Sequence, residues 1–283
     1  MSLKRIWLTG GHGMLGRDLA AYLKAKGYDV ATPSSAGFNL LGNYTELFEQ
    51  VALFQPDIIL HAAAYTQVDK AEGAPELAMS INKDGTHTLV QMAKALDCIF
   101  VYISTDYVFD GEQKTPYLSN DRPNPISIYG KSKYYGELAV QEHLEMYYIV
   151  RTSWLYGQYG HNFVQFVLEA ARQGREIPVV QDWIGSPTWT GSLCAMIENI
   201  MTSGAFGIYH AADAGSVSRF DQAVRICQNA GLSVDHIRPV LGSSFSAPAK
   251  RPSYSVLDPT PLVVPTWETS LQGYLEQYLM GQA

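Results

Sequence analysis

The sequence has few cysteines, no long apolar run and no surplus of positive charge, and each shortage removes a class of function. Cys98, Cys194 and Cys227 are its only 3 cysteines. They are odd in number, widely separated and without the close Cys/His spacing of a metal site, so they read as buried thiols rather than disulfide, redox or zinc groups. No stretch approaches the roughly 20 apolar residues that span a bilayer. Met1-Ser2-Leu3-Lys4-Arg5 runs straight into a strand-like segment instead of the apolar core of a signal peptide. A soluble, cytoplasmic protein without a membrane partner is expected. The net charge of −7, with acidic and basic residues interspersed, supplies no basic stripe to neutralise a polyanion, so nucleic acid is not an expected partner. Internal repeats and low-complexity linkers are also absent, which sets aside solenoids and tethered modules.

What is present is an alternating pattern. At 283 residues and 47% hydrophobic, the chain can build one large core or two packed domains. Its first half alternates short β-rich runs with helical periodicity, the mark of βαβ units and a parallel sheet. Strands are expected at 5–9, 28–32, 57–61, 99–104 and 147–151. Helices are expected from Leu15 to just before Gly27, over 79–96 and over 127–145. Beyond about residue 156 the alternation becomes irregular. Helices at 162–172 and 192–201, short strands at 177–180 and 207–211, a proline-rich loop region and a final amphipathic helix from Trp267 through Leu279 complete the chain. The expected fold is α/β, a Rossmann-type doubly wound parallel sheet with a smaller C-terminal substrate-binding domain. Residues 1–155 form the first domain, with later returns near 177–211; residues 156–283 form most of the second, interwoven with it, and the ligand cleft lies between them.

Thr9-Gly10-Gly11-His12-Gly13-Met14-Leu15-Gly16 follows the first strand and opens the first helix, the context in which a glycine loop binds a dinucleotide. The first domain is therefore read as NAD(P)-binding. Gly10 allows the tight turn, Gly13 lets the backbone approach a pyrophosphate and Gly16 permits close helix packing, while the helix N-terminus at Met14 and Leu15 favours an anion. After the second strand, Ala31-Thr32-Pro33-Ser34-Ser35 carries no acidic residue for a ribose 2′-hydroxyl. The Ser34 hydroxyl and the Arg17 cation tolerate a 2′-phosphate, which favours NADP and leaves NAD open.

Tyr129 and Lys133 are four apart on an expected helix and share a face. A phenol with a pKa of about 10 is a poor acid at neutral pH unless a cation lowers it, and Lys133 is placed to do so. Tyr129 then becomes a proton donor to a carbonyl that receives hydride. Thr105, where the fourth strand ends, can hydrogen-bond the same carbonyl. A Tyr-x-x-x-Lys match alone is worth little, because in a chain with 18 tyrosines chance supplies on the order of one. Tyr22 and Lys26 match as well, but on the first helix, where Tyr22 continues an apolar stripe and Lys26 faces solvent. Alone, Tyr129 reads equally as an interface tyrosine and Lys133 as surface charge; it is their place downstream of a glycine loop that joins them.

Over nearly its whole length the sequence resembles the extended short-chain dehydrogenases/reductases, and within them the dTDP-4-dehydrorhamnose reductase family. The resemblance rests on residues 10–16, 61–72, 104–111, 129–133, 151–157, Gly185-Ser186-Pro187-Thr188 and 251–258. The glycine loop and the Tyr/Lys pair mark only the superfamily; the other segments separate this branch from epimerases and dehydratases. The resemblance implies Tyr129 as acid, Lys133 as its partner and ribose ligand, and Thr105 on the carbonyl. It implies that Ala62, Ala63, Ala64, Tyr65, Asn39 and Leu40 line the cofactor. Thr66, Asp106, Tyr107 and Trp154 would meet the sugar, Trp154 with an apolar ring face unless it is a core aromatic. Asn162 and Arg251 fall on the nucleotide-sugar side, Arg251 as a diphosphate contact or else a surface salt bridge. Asn82 resembles the family's helix-four asparagine, for which a structural role and a water-relay role stand side by side. Asn39-Leu40 departs from the acidic residue many relatives carry near the adenine. Some members hold magnesium at a dimer contact, but only Asp18 lies near such a place, so no metal is expected; a homodimer is left open. The implied reaction is NADPH-dependent reduction of dTDP-4-dehydro-6-deoxy-L-mannose to dTDP-L-rhamnose. A different nucleotide-linked 4-keto sugar is one alternative. Another is a non-catalytic NADP-binding role like that of the regulatory subunit of methionine adenosyltransferase.

Overall fold

The computed structural model describes residues 4–280. Its elements begin with β1 Arg5–Thr9, α1 Met14–Ala25, β2 Asp29–Ala31, α2 Tyr44–Phe54, β3 Ile58–His61, α3 Val68–Gly73 and α4 Pro75–Met79. A π-helical turn at Ser80–Asp84 leads into α5 Gly85–Leu96, then β4 Ile99–Thr105, α6 Ile128–His143, β5 Tyr147–Thr152, β6 Leu155–Tyr156 and α7 Phe163–Arg172. There follow β7 Ile177–Val180, β8 Ile184–Gly185, β9 Thr188–Trp189, α8 Thr190–Thr202 and β10 Gly207–His210. The last elements are β11 Val217–Ser218, α9 Arg219–Asn229, β12 Ile237–Val240 and α10 Trp267–Met280. Among the described residues no helix is long and apolar enough to cross a membrane.

Six strands form one parallel sheet in the order β10-β5-β4-β3-β1-β2. Both faces are covered, so its strands are apolar at consecutive rather than alternate positions. Ile6, Leu8, Ile58, Leu60 and Val101 point toward α1 and α8, where Leu19, Leu23, Leu193 and Ile197 meet them. Trp7, Ile59, Phe100 and Ile149 point the other way, against Leu47, Val51, Leu89 and Val140 of α2, α5 and α6. At about 1.5–3 kcal/mol for each fully buried large apolar side chain, these two layers hold the strand ends in register.

The later part of the chain departs from its sequence pattern at two places. β7 pairs in parallel with β12 in a separate two-stranded sheet. Pro178 and Pro239 lie in these strands and lack the N–H that an inner strand of a large sheet must donate. The return to the large sheet therefore consists of α8 and β10 and leaves 177–180 outside. α9 lies in the stretch read as loop-rich, yet no proline falls inside it. Ser218 caps it by accepting the Asp221 amide at 2.9 Å, and Ala223, Ile226 and Cys227 pack with Val164, Ile177 and Leu271 in a second core.

Candidate active site

From β2 the chain crosses back to place β3 on the other flank of β1, so the carboxyl ends of β1 and β3 open into a crevice. A cavity of about 810 Å³ lies there. The glycine loop forms one wall. Gly10 turns with φ of +75°, and a Cβ on it would stand 2.5 Å from the Ala63 nitrogen; one on Gly16 would stand 2.0 Å from the Gly10 carbonyl oxygen. Only glycine lets the loop, the end of β3 and α1 meet so closely. No side chain caps α1, which leaves the amides of its first turn available to an anion.

A second wall comes from α6. Its cap is Ser127, whose hydroxyl accepts the Gly130 amide at 3.1 Å, and Glu72 accepts the Ile128 amide at 2.8 Å. Tyr129 and Lys133 both line the cavity. Lys133 Nζ donates to the Ile103 carbonyl oxygen at 2.7 Å and lies 4.0 Å above the Tyr102 ring. Burial pushes its pKa down to about 7, against the opposing charge of Glu137. Tyr129 differs from expectation: burial raises its pKa, the Thr105 hydrogen bond lowers it in part, and the Asp106 charge raises it again. Burial thus holds the phenol protonated, while the Lys133 ammonium gives its hydrogen bond to Ile103. Tyr107 stands edge-on to Tyr129, with ring centroids 5.5 Å apart. Asp106 is buried beside them. One of its oxygens accepts Thr105 Oγ1 at 3.1 Å, the other has no partner among the described residues, and burial pushes its pKa up to about 6.

Two buried networks set the position of α6. The Asn82 side chain, on the π-helical turn, accepts the Tyr65 amide at 2.7 Å, donates to the Tyr65 carbonyl at 3.0 Å and donates to Ser132 Oγ at 2.9 Å. Ser132 in turn donates to the Tyr129 carbonyl at 2.7 Å. Asn82 thereby ties the loop after the three alanines to the helix that carries Tyr129, which is the structural one of its two readings. Glu137 is one turn beyond Lys133 on the same face. It accepts Arg151 Nε at 2.9 Å, Arg151 Nη2 at 2.7 Å and Ser104 Oγ at 2.5 Å, and so seats α6 on β4 and β5.

The glycine loop, Asn39 and Leu40, the three alanines, Thr66, Thr105 to Tyr107, the Tyr129/Lys133 pair and Trp154 all line the cavity. Five other residues expected from the sequence to contact cofactor or substrate do not. Arg17 is exposed, with Nε on the His12 carbonyl at 3.1 Å and its guanidinium 5.2 Å from the Tyr159 ring centroid. Ser34 closes a turn by accepting the Gly37 amide at 3.1 Å, and its neighbours Pro33 and Ser35 reach the cavity instead. Tyr65 is held through its backbone by Asn82. Asn162 caps α7, accepting the Gln165 amide at 3.2 Å and donating to the Gly157 carbonyl at 2.9 Å, while Phe163 is the lining residue. Arg251 lies in an adjoining pocket of about 70 Å³ and pairs with Asp69 at 2.7 Å. Trp154 has φ of +47°, an uncommon backbone for a bulky residue. One face of its ring carries the Arg219 guanidinium, 3.5 Å from the centroid, while the residue still lines the cavity. Arg219 escaped sequence reasoning because α9 did; the capping pattern Ser218-Arg219-Phe220-Asp221 was the available signal.

A family model described as the RmlD substrate binding domain matches residues 4–280. The chain belongs to the RmlD substrate binding domain family. A relative from Mycolicibacterium smegmatis named dTDP-4-dehydrorhamnose reductase is 40% identical over 259 residues, which are 90% of this chain and 78% of that protein. Another from Streptomyces niveus, named dTDP-4-keto-6-deoxy-D-glucose reductase, is 34% identical over 253 residues, 89% of this chain and 88% of that one. The crystal structure of a dTDP-4-dehydrorhamnose reductase from Bacillus anthracis in complex with NADP has the same fold. It aligns with a TM-score of 0.93 and 38% identity, covering 97% of this chain and 99% of that one.

Proposed function

We propose that this RmlD-family chain reduces dTDP-4-dehydro-6-deoxy-L-mannose to dTDP-L-rhamnose with NADPH as reductant. The observation that carries the reading is the meeting of Tyr129, Lys133 and Thr105 on one cavity with the glycine loop, in a chain with relatives named for this reaction. The residues present fit a dinucleotide. The uncapped α1 N-terminus suits a pyrophosphate, and Ala62 to Ala64 keep side chains small where Gly10 packs. The absence of a carboxylate in Ala31-Thr32-Pro33-Ser34-Ser35 supports NADPH over NADH.

When bound, NADPH supplies hydride to the sugar's C4. The chain's own residues handle the proton. Tyr129, protonated at neutral pH, gives its hydroxyl proton to the carbonyl oxygen as C4 gains hydride, so the ketone becomes a secondary alcohol. Thr105, whose hydroxyl proton rests on Asp106, turns it to the carbonyl oxygen to orient it, and the phenolate left on Tyr129 draws the Lys133 ammonium toward it. With its pKa near 7, Lys133 can return the proton and be recharged from water. A cytoplasmic site of action is supported by the reactants, since NADPH and nucleotide sugars are polyanions that do not cross bilayers unaided.

Reduction of another dTDP-linked 4-keto sugar is a second reading, favoured by the Streptomyces niveus relative. The intact Tyr129, Lys133 and Thr105 weigh against a purely regulatory role. The deciding assay supplies purified protein with NADPH and a panel of dTDP-4-keto sugars. Preferential conversion of the rhamnose precursor supports the first reading, preference for a different sugar supports the second, and no NADPH consumption with any of them refutes both.

A further inference from the structure

Arg219 is a partly buried cation whose charge and that of the Asp106 carboxylate act on each other at a distance. Among the described residues it forms no ion pair, whereas Arg251 is matched to Asp69 at 2.7 Å. The Arg219 guanidinium lies 3.5 Å from the centroid of Trp154 and 4.8 Å from that of Phe163, and its recorded side-chain hydrogen bond runs to Gln222 Oε1 at 3.1 Å. Burial lowers its pKa to about 10, so it remains charged at neutral pH. Stacking on two aromatic rings leaves the in-plane N–H edge of a guanidinium free to bind an oxyanion bidentately. The Trp154 ring is itself wedged, because a Cβ on Gly185 would stand 2.4 Å from its Cε2. The platform under Arg219 is therefore fixed.

Its position matches the chemistry of the proposed substrate. Arg219 lines both the main cavity and the adjoining pocket that holds Arg251, and the two spaces share Tyr107 and Trp154. Tyr107 stands between the proton donor and the arginines: its ring is 5.5 Å from that of Tyr129, and both arginine charges act on its hydroxyl. Tyr107 thus joins the end of the cavity that holds Tyr129 to the end that holds the two arginines. A hexose carries its C4 carbonyl and its C1 diphosphate at opposite ends of the ring, an arrangement that suits such a cleft.

We propose that Arg219 is the principal diphosphate-binding residue for the nucleotide sugar, with Arg251, already neutralised by Asp69, in a lesser role. The inference rests on the nucleotide-sugar reading above, and its test does not need turnover. Binding of dTDP, dTMP and thymidine is measured by titration calorimetry with the NADP-loaded protein, for the native chain and for Arg219→Met, Arg219→Lys and Arg251→Met. Methionine keeps an unbranched stem over Trp154 and removes the charge. The expected result is a loss of about 10- to 100-fold in dTDP affinity for Arg219→Met. A smaller loss is expected for Arg251→Met, with partial recovery in Arg219→Lys, little change for thymidine and unchanged NADP affinity. Native-like dTDP binding by Arg219→Met, or a larger loss in Arg251→Met, overturns the assignment. So does a parallel loss of NADP affinity, which moves Arg219 to the cofactor side. If the native chain discriminates dTDP through Arg219 yet reduces none of the sugars tested, the assignment stands and the reductase reading falls.

Discussion

Replacing Glu137 by alanine is expected to destabilise this protein severely, because of the charge left behind. Glu137 and Arg151 are 0% and 1% exposed. The substitution removes three hydrogen bonds at 2.5–2.9 Å and leaves the guanidinium with the Ser119 carbonyl at 3.2 Å and the Phe109 ring. Two unit charges about 4 Å apart attract by about 4 kcal/mol at an effective dielectric near 20. Breaking a buried pair by removing one partner costs about 3–5 kcal/mol. At about 2–4 °C per kcal/mol for chains approaching this size, the midpoint of thermal unfolding should fall by roughly 10 °C or more. The double substitution Glu137→Leu with Arg151→Met removes both charges and should recover most of that loss. Circular dichroism melts of the native chain, Glu137→Leu, Arg151→Met and the double variant form a thermodynamic cycle. A drop below about 3 °C for Glu137→Ala, or a double variant no better than the single one, would refute the reasoning. In chains still folded at the assay temperature, kcat should fall as well, since Glu137 seats the helix face that presents Tyr129 and Lys133.

Tyr129→Phe should cut kcat by about 100-fold or more while leaving NADP affinity nearly unchanged; parallel loss of cofactor binding in a fluorescence titration would mean its role is misassigned. Lys133 has a folded pKa of about 7 against an ordinary 10.5, so the unfolded chain binds its proton more strongly and the cost of burying it is fully present below about pH 7. Lys133→Met is therefore expected to be more stable than the native chain at pH 6, by a few kcal/mol, with the advantage shrinking as pH rises from about 7 toward 10.5. Calorimetric melts across that range test it, and a pH-independent difference would contradict it. Gly16→Ala places a Cβ against the Gly10 carbonyl, a backbone atom that cannot yield; NADP affinity should fall by at least about 10-fold, measurable by calorimetry. Asp106, with its pKa raised to about 6, should impose an inflection near that pH on kcat/KM for the sugar. Asp106→Asn should abolish it, and an unchanged profile would remove Asp106 from the reading.

What could be read along the chain was what depends on near neighbours. The glycine loop, the apolar strands and the i, i+4 spacing of Tyr129 and Lys133 are local signals, set by the turn and repeat geometry of the backbone, and the structure brings the loop and the pair to one cavity. α9 was hidden for a local reason too, since prolines after it masked a proline-free helix with its own cap. The direction of a side chain was not local. Lys133 shares a helix face with Tyr129, yet its ammonium goes to Ile103 on the neighbouring strand. The phenol's surroundings are Thr105, Asp106 and Tyr107, which burial and not spacing brings to it. Arg251 is engaged by Asp69, 182 residues earlier, and Trp154, read as an apolar ring face for the sugar, also carries the Arg219 guanidinium. The sequence by itself determined the Rossmann-type layout and the residue types a carbonyl reduction needs. Only the tertiary structure decided which charges are paired and which are left for a ligand, because that depends on contacts between elements far apart in the chain and on how deeply packing buries them.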